Sequence, residues 1–308
     1  MHQWISPPIF LATSLVLYVC AGALGSTIRI GTFNVENYLD VAAGTRPAKS
    51  AEAKARVRES LLALHPDIVA LQEMGSTNTL QELRSGLATA GLNLPHSDWV
   101  QGYDTNIHIA ILSRFPIVAR RPHTNANFLL DGHRFQVSRG FAEVDIQAAP
   151  QFTVTILAAH LKSKRPIPNA DESEIRLEEA KVLREIVDER LNANPRANLI
   201  VLGDLNDWKD SPSTKIIIGK GKSKLLDTRP TEKNGDERKE MSRGHESRQI
   251  SWTHFYAKED TYSRLDYILL SPALAPHFVR EQSFVLRLPN WGAASDHCPL
   301  LVTLDDGK

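Results

Sequence analysis

The sequence predicts an α/β fold, a single domain with mixed sheets, on three observations. Short apolar, β-branched runs recur along most of the chain, and segments of helical period alternate with them. No internal repeat and no Pro/Gly/Ser-rich linker divides it. With 308 residues, 42% of them hydrophobic and 23% charged, the chain can build one large core or two modest ones.

Residues 28–33 (IRIGTF) read as the opening strand on their β-branched and aromatic content. Residues 51–64, rich in Ala, Glu, Lys and Arg, read as a helix. His65-Pro66 ends it, because the position before proline disfavours helical backbone. Residues 68–71 then form a buried strand, giving a β-α-β unit. A second helix is expected over 79–90, stopped by Gly91. Strands come next at 109–112, 141–146 and 152–159, the last two joined as a hairpin around Ala149-Pro150. Residues 174–192 form the clearest helix, with Ala180, Leu183, Val187 and Leu191 at helical spacing. Residues 199–202 are another buried strand, and Ser211-Pro212 starts a helix as cap and first turn. Residues 215–248, basic and poor in apolar side chains after Leu226, read as a surface excursion. Strands return at 250–255, 265–270 and 300–304.

A formal net charge of +0 and a pI of about 7.2 leave no global field to recruit nucleic acid or membrane. A polyanionic substrate must be held locally, and Arg139, Arg165 and Arg176 are unranked candidates for that contact. Residues 1–25 carry no Lys, Arg, Asp or Glu and end in Ala23-Leu24-Gly25, as in a signal peptide cleaved before Ser26. The expected location is secreted or periplasmic, with an uncleaved N-terminal anchor as the alternative. Removing the leader leaves Cys298 alone, so the mature domain, 26–308, rests on its core rather than on disulfides.

Six short segments carry the chemistry. They are Thr32-Phe33-Asn34, Leu71-Gln72-Glu73, His160-Leu161-Lys162-Ser163, Gly203-Asp204-Leu205-Asn206-Asp207, Arg264-Leu265-Asp266-Tyr267 and Ser295-Asp296-His297. Apolar strands deliver the residues at their ends to one rim of a sheet, so these side chains converge. Asn, Glu, Asp and His without Cys suit a hard cation and a base. Glu73 and Asn34 taken alone fit a solvent-facing side chain and a turn. Asp204 and Asn206 are more specific, since the Gly permits a tight exit and period two aims both the same way. His297 can take a proton near neutrality, and Asp266 can fix its tautomer. His160 and Lys162 place two donors at one strand end, suited to a phosphate oxygen.

On these segments the chain resembles the endonuclease/exonuclease/phosphatase superfamily, from about residue 28 to 304. The resemblance implies a four-layer sandwich, two mixed sheets face to face with helices outside, and metal-assisted hydrolysis of phosphate esters. It assigns Asn34, Glu73 and Asp296 to Mg²⁺, with Mn²⁺ or Ca²⁺ as alternatives. Asp204 and Asn206 would handle the attacking water and the transition state. His297, paired with Asp266, would be base or phosphate ligand, and His160 would bind the scissile phosphate. The DNA-repair members carry a Tyr-containing motif where this chain has His160, which places it nearer the DNase I-like, sphingomyelinase and secreted nuclease branches.

Three readings fit these residues. The first is a secreted, monomeric phosphodiesterase or nuclease acting on DNA or RNA, with no obligate protein partner. The second is the same chemistry on a phospholipid or small phosphate ester, for which Trp291 and residues 252–256 are the aromatic candidates. The third is a catalytically dead binding member, against which every chemical position holds a competent residue.

Overall fold

Every site segment sits where a row of inward-facing apolar residues runs out, and the sheet topology explains why. The computed structural model describes residue 1 and residues 27–233 and 249–305. The expected leader, and the 234–248 part of the basic stretch, lie outside the described residues.

One sheet of seven strands runs in the order β12 (Thr231–Glu232), β16 (Phe278–Val285), β17 (Leu300–Asp305), β1 (Thr27–Tyr38), β2 (Ile68–Met74), β4 (His108–Ser113), β3 (His96–Val100). The second, of six, runs β11 (Leu226–Asp227), β15 (Asp266–Leu270), β10 (Leu199–Asp204), β9 (Phe152–His160), β8 (Phe141–Ala149), β5 (Ile117–Arg120). Two small hairpins, β6 (Asn127–Leu130) with β7 (His133–Gln136) and β13 (His254–Tyr256) with β14 (Thr261–Ser263), stand apart. The helices are α1 (Ala51–Leu64), α2 (Thr77–Thr89), α3 (Glu172–Ala193) and α4 (Pro212–Ile218).

Each sheet has a parallel pair at its centre, β1 with β2 and β9 with β10, flanked by antiparallel neighbours, and the short edge strand β12 of the first sheet also runs parallel to β16. Alternation sorts the side chains. Ile28, Ile30, Ile68, Ala70, Val154, Ile156, Ala158, Ile200, Leu202, Ile268 and Leu270 point between the sheets and form one core. Phe33, Val69 and Leu71 face α1 and α2, whereas Leu157, Val201 and Leu269 face α3. The architecture is therefore helix, sheet, sheet, helix, with three apolar layers, each fully buried Val, Leu or Ile contributing ~1.5–3 kcal/mol.

The inward rows continue with parity unbroken to Asn34, His160, Asp204 and Asp266, so these four polar side chains enter the seam between the sheets at one end. Gly203 is required there. Its φ is +130°, and a Cβ would lie 2.0 Å from the Ala159 carbonyl oxygen. Helix boundaries follow their caps: Ser50 accepts from the amide of Ala53, Ser76 from Thr79 and Asp171 from Ser173.

Several elements differ from expectation. Residues 215–248 are not wholly an excursion: Lys215 lies in α4, and β11 and β12 extend both sheets at their edges. The strand expected over 250–255 is only His254–Tyr256, held as a hairpin. At α4, Pro212 takes the first turn, but the Ser211 hydroxyl donates to the Trp208 carbonyl instead of capping. Strands β3, β5, β6, β7 and β16 had no clear alternation to announce them. Cys298 is free and buried, and among the described residues no helix is long and apolar enough to cross a membrane.

Candidate active site

Asp204 is the hub. Its buried Oδ2 accepts from Asn34 Nδ2 at 3.0 Å and from Asn206 Nδ2 at 3.2 Å. Two imidazole nitrogens face the same oxygen, His160 Nε2 at 3.5 Å and His297 Nε2 at 3.8 Å. Its Oδ1 accepts from the Asn206 amide at 2.8 Å. Burial pushes the Asp204 carboxyl up to about 6, with Asp266 adding to the rise and His297 opposing it.

His297 is fixed from behind. Its Nδ1 lies 2.7 Å from Asp266 Oδ2, and because a carboxylate only accepts, the Nδ1 proton points there and Nε2 faces the cleft. Burial would lower this imidazole, but the Asp266 and Asp204 carboxylates outweigh it and hold it well above the ordinary histidine value. Asp266 itself is anchored by the Thr253 hydroxyl at 2.6 Å. The Ser295 hydroxyl donates to the Asn34 carbonyl at 2.7 Å and accepts from the His297 amide at 3.0 Å, tying the last turn to β1.

His160 is the opposite case. Burial, then the Arg139, His297 and Arg46 charges, hold it well below the ordinary value, and its Nδ1 has no hydrogen-bond partner.

Glu73 belongs by parity to the helix-facing row. A left-handed φ of 62° turns it to the rim instead, where Oε2 accepts from the Asn37 amide at 2.9 Å and Oε1 lies 3.9 Å from His160 Nε2. Asn206 reaches the site the same way, with φ 53° rather than by strand alternation. Asn34, Glu73, His160, Asp204, Asn206, Asp296 and His297 line one cleft of about 650 Å³; Asp266 stands behind it through His297.

A divalent cation fits this donor set, which is rich in carboxylate and amide oxygen and lacks thiols. Asp266 Oδ1 is buried without a partner. Glu36, beside the cleft, is raised by burial and by repulsion from Asp296 and Glu73, so excess negative charge collects there. The tightest carboxylate–imidazole groups among the described residues are His254/Asp296/His297 and Asp204/Asp266/His297, with ligand atoms within 4.8 Å of one another. They differ from the trio Asn34, Glu73 and Asp296, whose members share the cleft wall.

Sequence reasoning missed His254, whose Nε2 is 3.6 Å from Asp296 Oδ2 and whose ring centroid is 4.6 Å from that of His297. The aromatic stretch around it was the available signal. Trp252 and Trp291 pack against the inter-sheet core, whereas Tyr256 lines the cleft. Lys162 does not serve the site; its ammonium donates to the Ser163 and Arg165 carbonyls. Of the three candidate arginines, Arg139 and Arg165 line the cleft, while Arg176 pairs with Asp207 at 3.1 Å.

A family model described as Endonuclease/Exonuclease/phosphatase family matches residues 31–297, a span that includes every one of these residues. The chain belongs to that family. Its name covers hydrolases of phosphate esters, and the expected four-layer sandwich agrees with it. No curated protein matches the chain significantly. Among solved structures it is similar to the human nocturnin catalytic domain with bound sulfate anion, at 18% identity and a TM-score of 0.62, covering 90% of this chain and 93% of that one. It is also similar to sphingomyelinase C from Streptomyces griseocarneus (17%, TM-score 0.61, 91% and 100%) and to truncated TDP2 from Caenorhabditis elegans (16%, TM-score 0.58, 91% and 97%). At these identities the likeness is one of fold.

Proposed function

We propose that this chain is a divalent-metal-dependent phosphodiesterase that cleaves nucleic acid with an activated water, and that it acts outside the cytoplasm. The observation that carries the reading is the Asp204 carboxylate, buried and ringed by nitrogens of Asn34, Asn206, His160 and His297. Export rests on the leader read from the sequence.

A cation held by Asn34, Glu73 and Asp296, with Mg²⁺ as first choice, would neutralise charge on the phosphoryl and leaving oxygens. The chain's own residues do the rest. Asp204, titrating near 6, accepts the proton of the attacking water at Oδ2 near neutral pH. Asn206, whose Nδ2 is held by Asp204 Oδ2 and by the Leu161 carbonyl, keeps that carboxylate in position. His297, proton-rich because of Asp266, supplies positive charge to the phosphoryl group; His160, held neutral, supplies an uncharged hydrogen bond. No serine or cysteine nucleophile is needed.

A second reading, phospholipid hydrolysis, is favoured by exposed aromatics at the cleft, Trp208 at 57% and Tyr256 at 41%. The test is a substrate panel on purified protein: bis-p-nitrophenyl phosphate, single-stranded and duplex DNA, and sphingomyelin liposomes. Mg²⁺ should support cleavage of the chromogenic diester and DNA, and chelator should abolish both. Cleavage of liposomes alone would select the second reading; inertness toward the whole panel would refute hydrolysis.

A further inference from the structure

Beside the Asp204 hub, the same cleft carries a second, basic half. Arg46, on the loop between β1 and α1, and Arg139, just before β8, both reach Asp104 Oδ2 at 3.8 Å. Two guanidinium groups thus share one loosely held carboxylate. Arg139 is only 5% exposed; its Nη1 donates to the Leu161 carbonyl at 2.9 Å, whereas its Nε, the atom that faces Asp104, is too far from it for a hydrogen bond. A buried guanidinium held this loosely at the cleft wall is under-satisfied and can take a further acceptor.

Arg165 closes the group from the opposite loop. It donates to the Thr45 hydroxyl at 3.3 Å, and among the described residues it has no carboxylate in ion-pair reach. Lys164 next to it lies over the Trp208 ring at 3.3 Å. Arg46, Arg139, Lys164, Arg165 and Trp208 all line the cleft wall. Glu73 joins the two halves, meeting Arg46 through Oε2 at 3.7 Å and facing His160 through Oε1 at 3.9 Å. The basic half therefore abuts the reacting position without being part of it.

We infer that Arg46, Arg139 and Arg165 form a subsite for a second phosphate, so that the preferred substrate carries another phosphate next to the scissile one. Planar guanidinium forks are suited to phosphate, and each desolvated charge-assisted bond adds specificity as well as affinity. The inference rests on the functional reading above and narrows it. A strand of nucleic acid presents such neighbouring phosphates, as does a small polyphosphate ester. A choline phosphodiester does not, and its quaternary ammonium would be repelled here. Trp208, exposed although Lys164 lies over one side of its ring, leaves an aromatic face on which a base can stack.

Calorimetric binding tests the subsite independently of turnover. The full chain, in Mg²⁺, is titrated with thymidine 5′-monophosphate, thymidine 3′,5′-bisphosphate and inositol 1,4-bisphosphate. The bisphosphates should bind at least tenfold tighter than the monophosphate. Arg46→Gln and the exposed-side Arg165→Ala should each cut that ratio severalfold, with a native circular dichroism spectrum. A nucleoside preference identifies a polynucleotide as the source, an inositol preference a small polyphosphate. Equal affinities for mono- and bisphosphate, or a ratio that both variants leave intact, would overturn the inference. Hydrolysis of bis-p-nitrophenyl phosphate, measured alongside, reports separately whether the functional reading stands.

Discussion

His160 and His297 face the same carboxylate oxygen from two sides, at 3.5 and 3.8 Å, yet their surroundings push their proton affinities apart. The His160 region is a dry strand end next to the Arg139 and Arg46 charges, with no acceptor at Nδ1. The His297 region has Asp266 directly behind the ring, itself anchored by Thr253. The surroundings favour the neutral form in one ring and the protonated form in the other. The lesson is that position beside Asp204 sets access, while the groups behind each ring set its role.

Mutation can break the contrast, most strongly at its charged member. His297→Ala removes the positive charge and should lower kcat on a chromogenic phosphodiester by about 10²–10⁴-fold, the range typical for a positioned acid or base. Retention of more than a tenth of parental kcat would refute the role. Asp266→Asn keeps the ring but removes the charge that holds its proton. Loss of such an outer partner costs ~10–100-fold, and the alkaline limb of the pH–rate profile should move to lower pH. An unchanged limb would mean that Asp266 is structural only. His160→Gln keeps a neutral donor, so its loss should be small, about tenfold or less, the value of roughly one hydrogen bond.

A subtler prediction uses stability in chelator. The folded value of His297 is raised, so its contribution is complete below 6.5 and lost as pH climbs through the higher folded value. Asp204 acts in the same sense, complete below 3.8 and lost as pH rises through about 6. His160 is lowered, so its contribution is complete above 6.5 and lost as pH falls through the depressed folded value. Thermal melts across pH 4–9 should therefore show His297→Gln flattening the alkaline side and His160→Gln the acid side. Parallel shifts of both variants at every pH would contradict the assignment.

How much of this the sequence disclosed depends on what kind of backbone delivers each residue. His160, Asp204 and Asp266 were legible because each is the next inward position beside an apolar strand row, and Asn34 keeps the same parity after Thr32. Glu73 and Asn206 lay in recognisable motifs, but their arrival depends on left-handed backbone that alternation does not predict. His254 was hidden because it comes from a short hairpin that meets the Ser295–His297 turn through one isolated bridge. Arg46 was missed, and Arg139 and Arg165 went unranked, because loop-borne or loop-adjacent cations acquire meaning only from neighbours far along the chain. Lys162 was misread because its long side chain curls back onto carbonyls of its own loop. The four-layer sandwich was implied by the motifs, whereas the edge strands, half exposed and short, left no periodic trace.

The most direct test compares the parent chain with Asp204→Asn on bis-p-nitrophenyl phosphate in the same Mg²⁺ buffer, with circular dichroism as a control for folding. If one buried carboxylate organises the cleft, the substitution leaves the fold intact and lowers kcat by at least about 10²-fold. A folded Asp204→Asn protein working within twofold of the parent would contradict it.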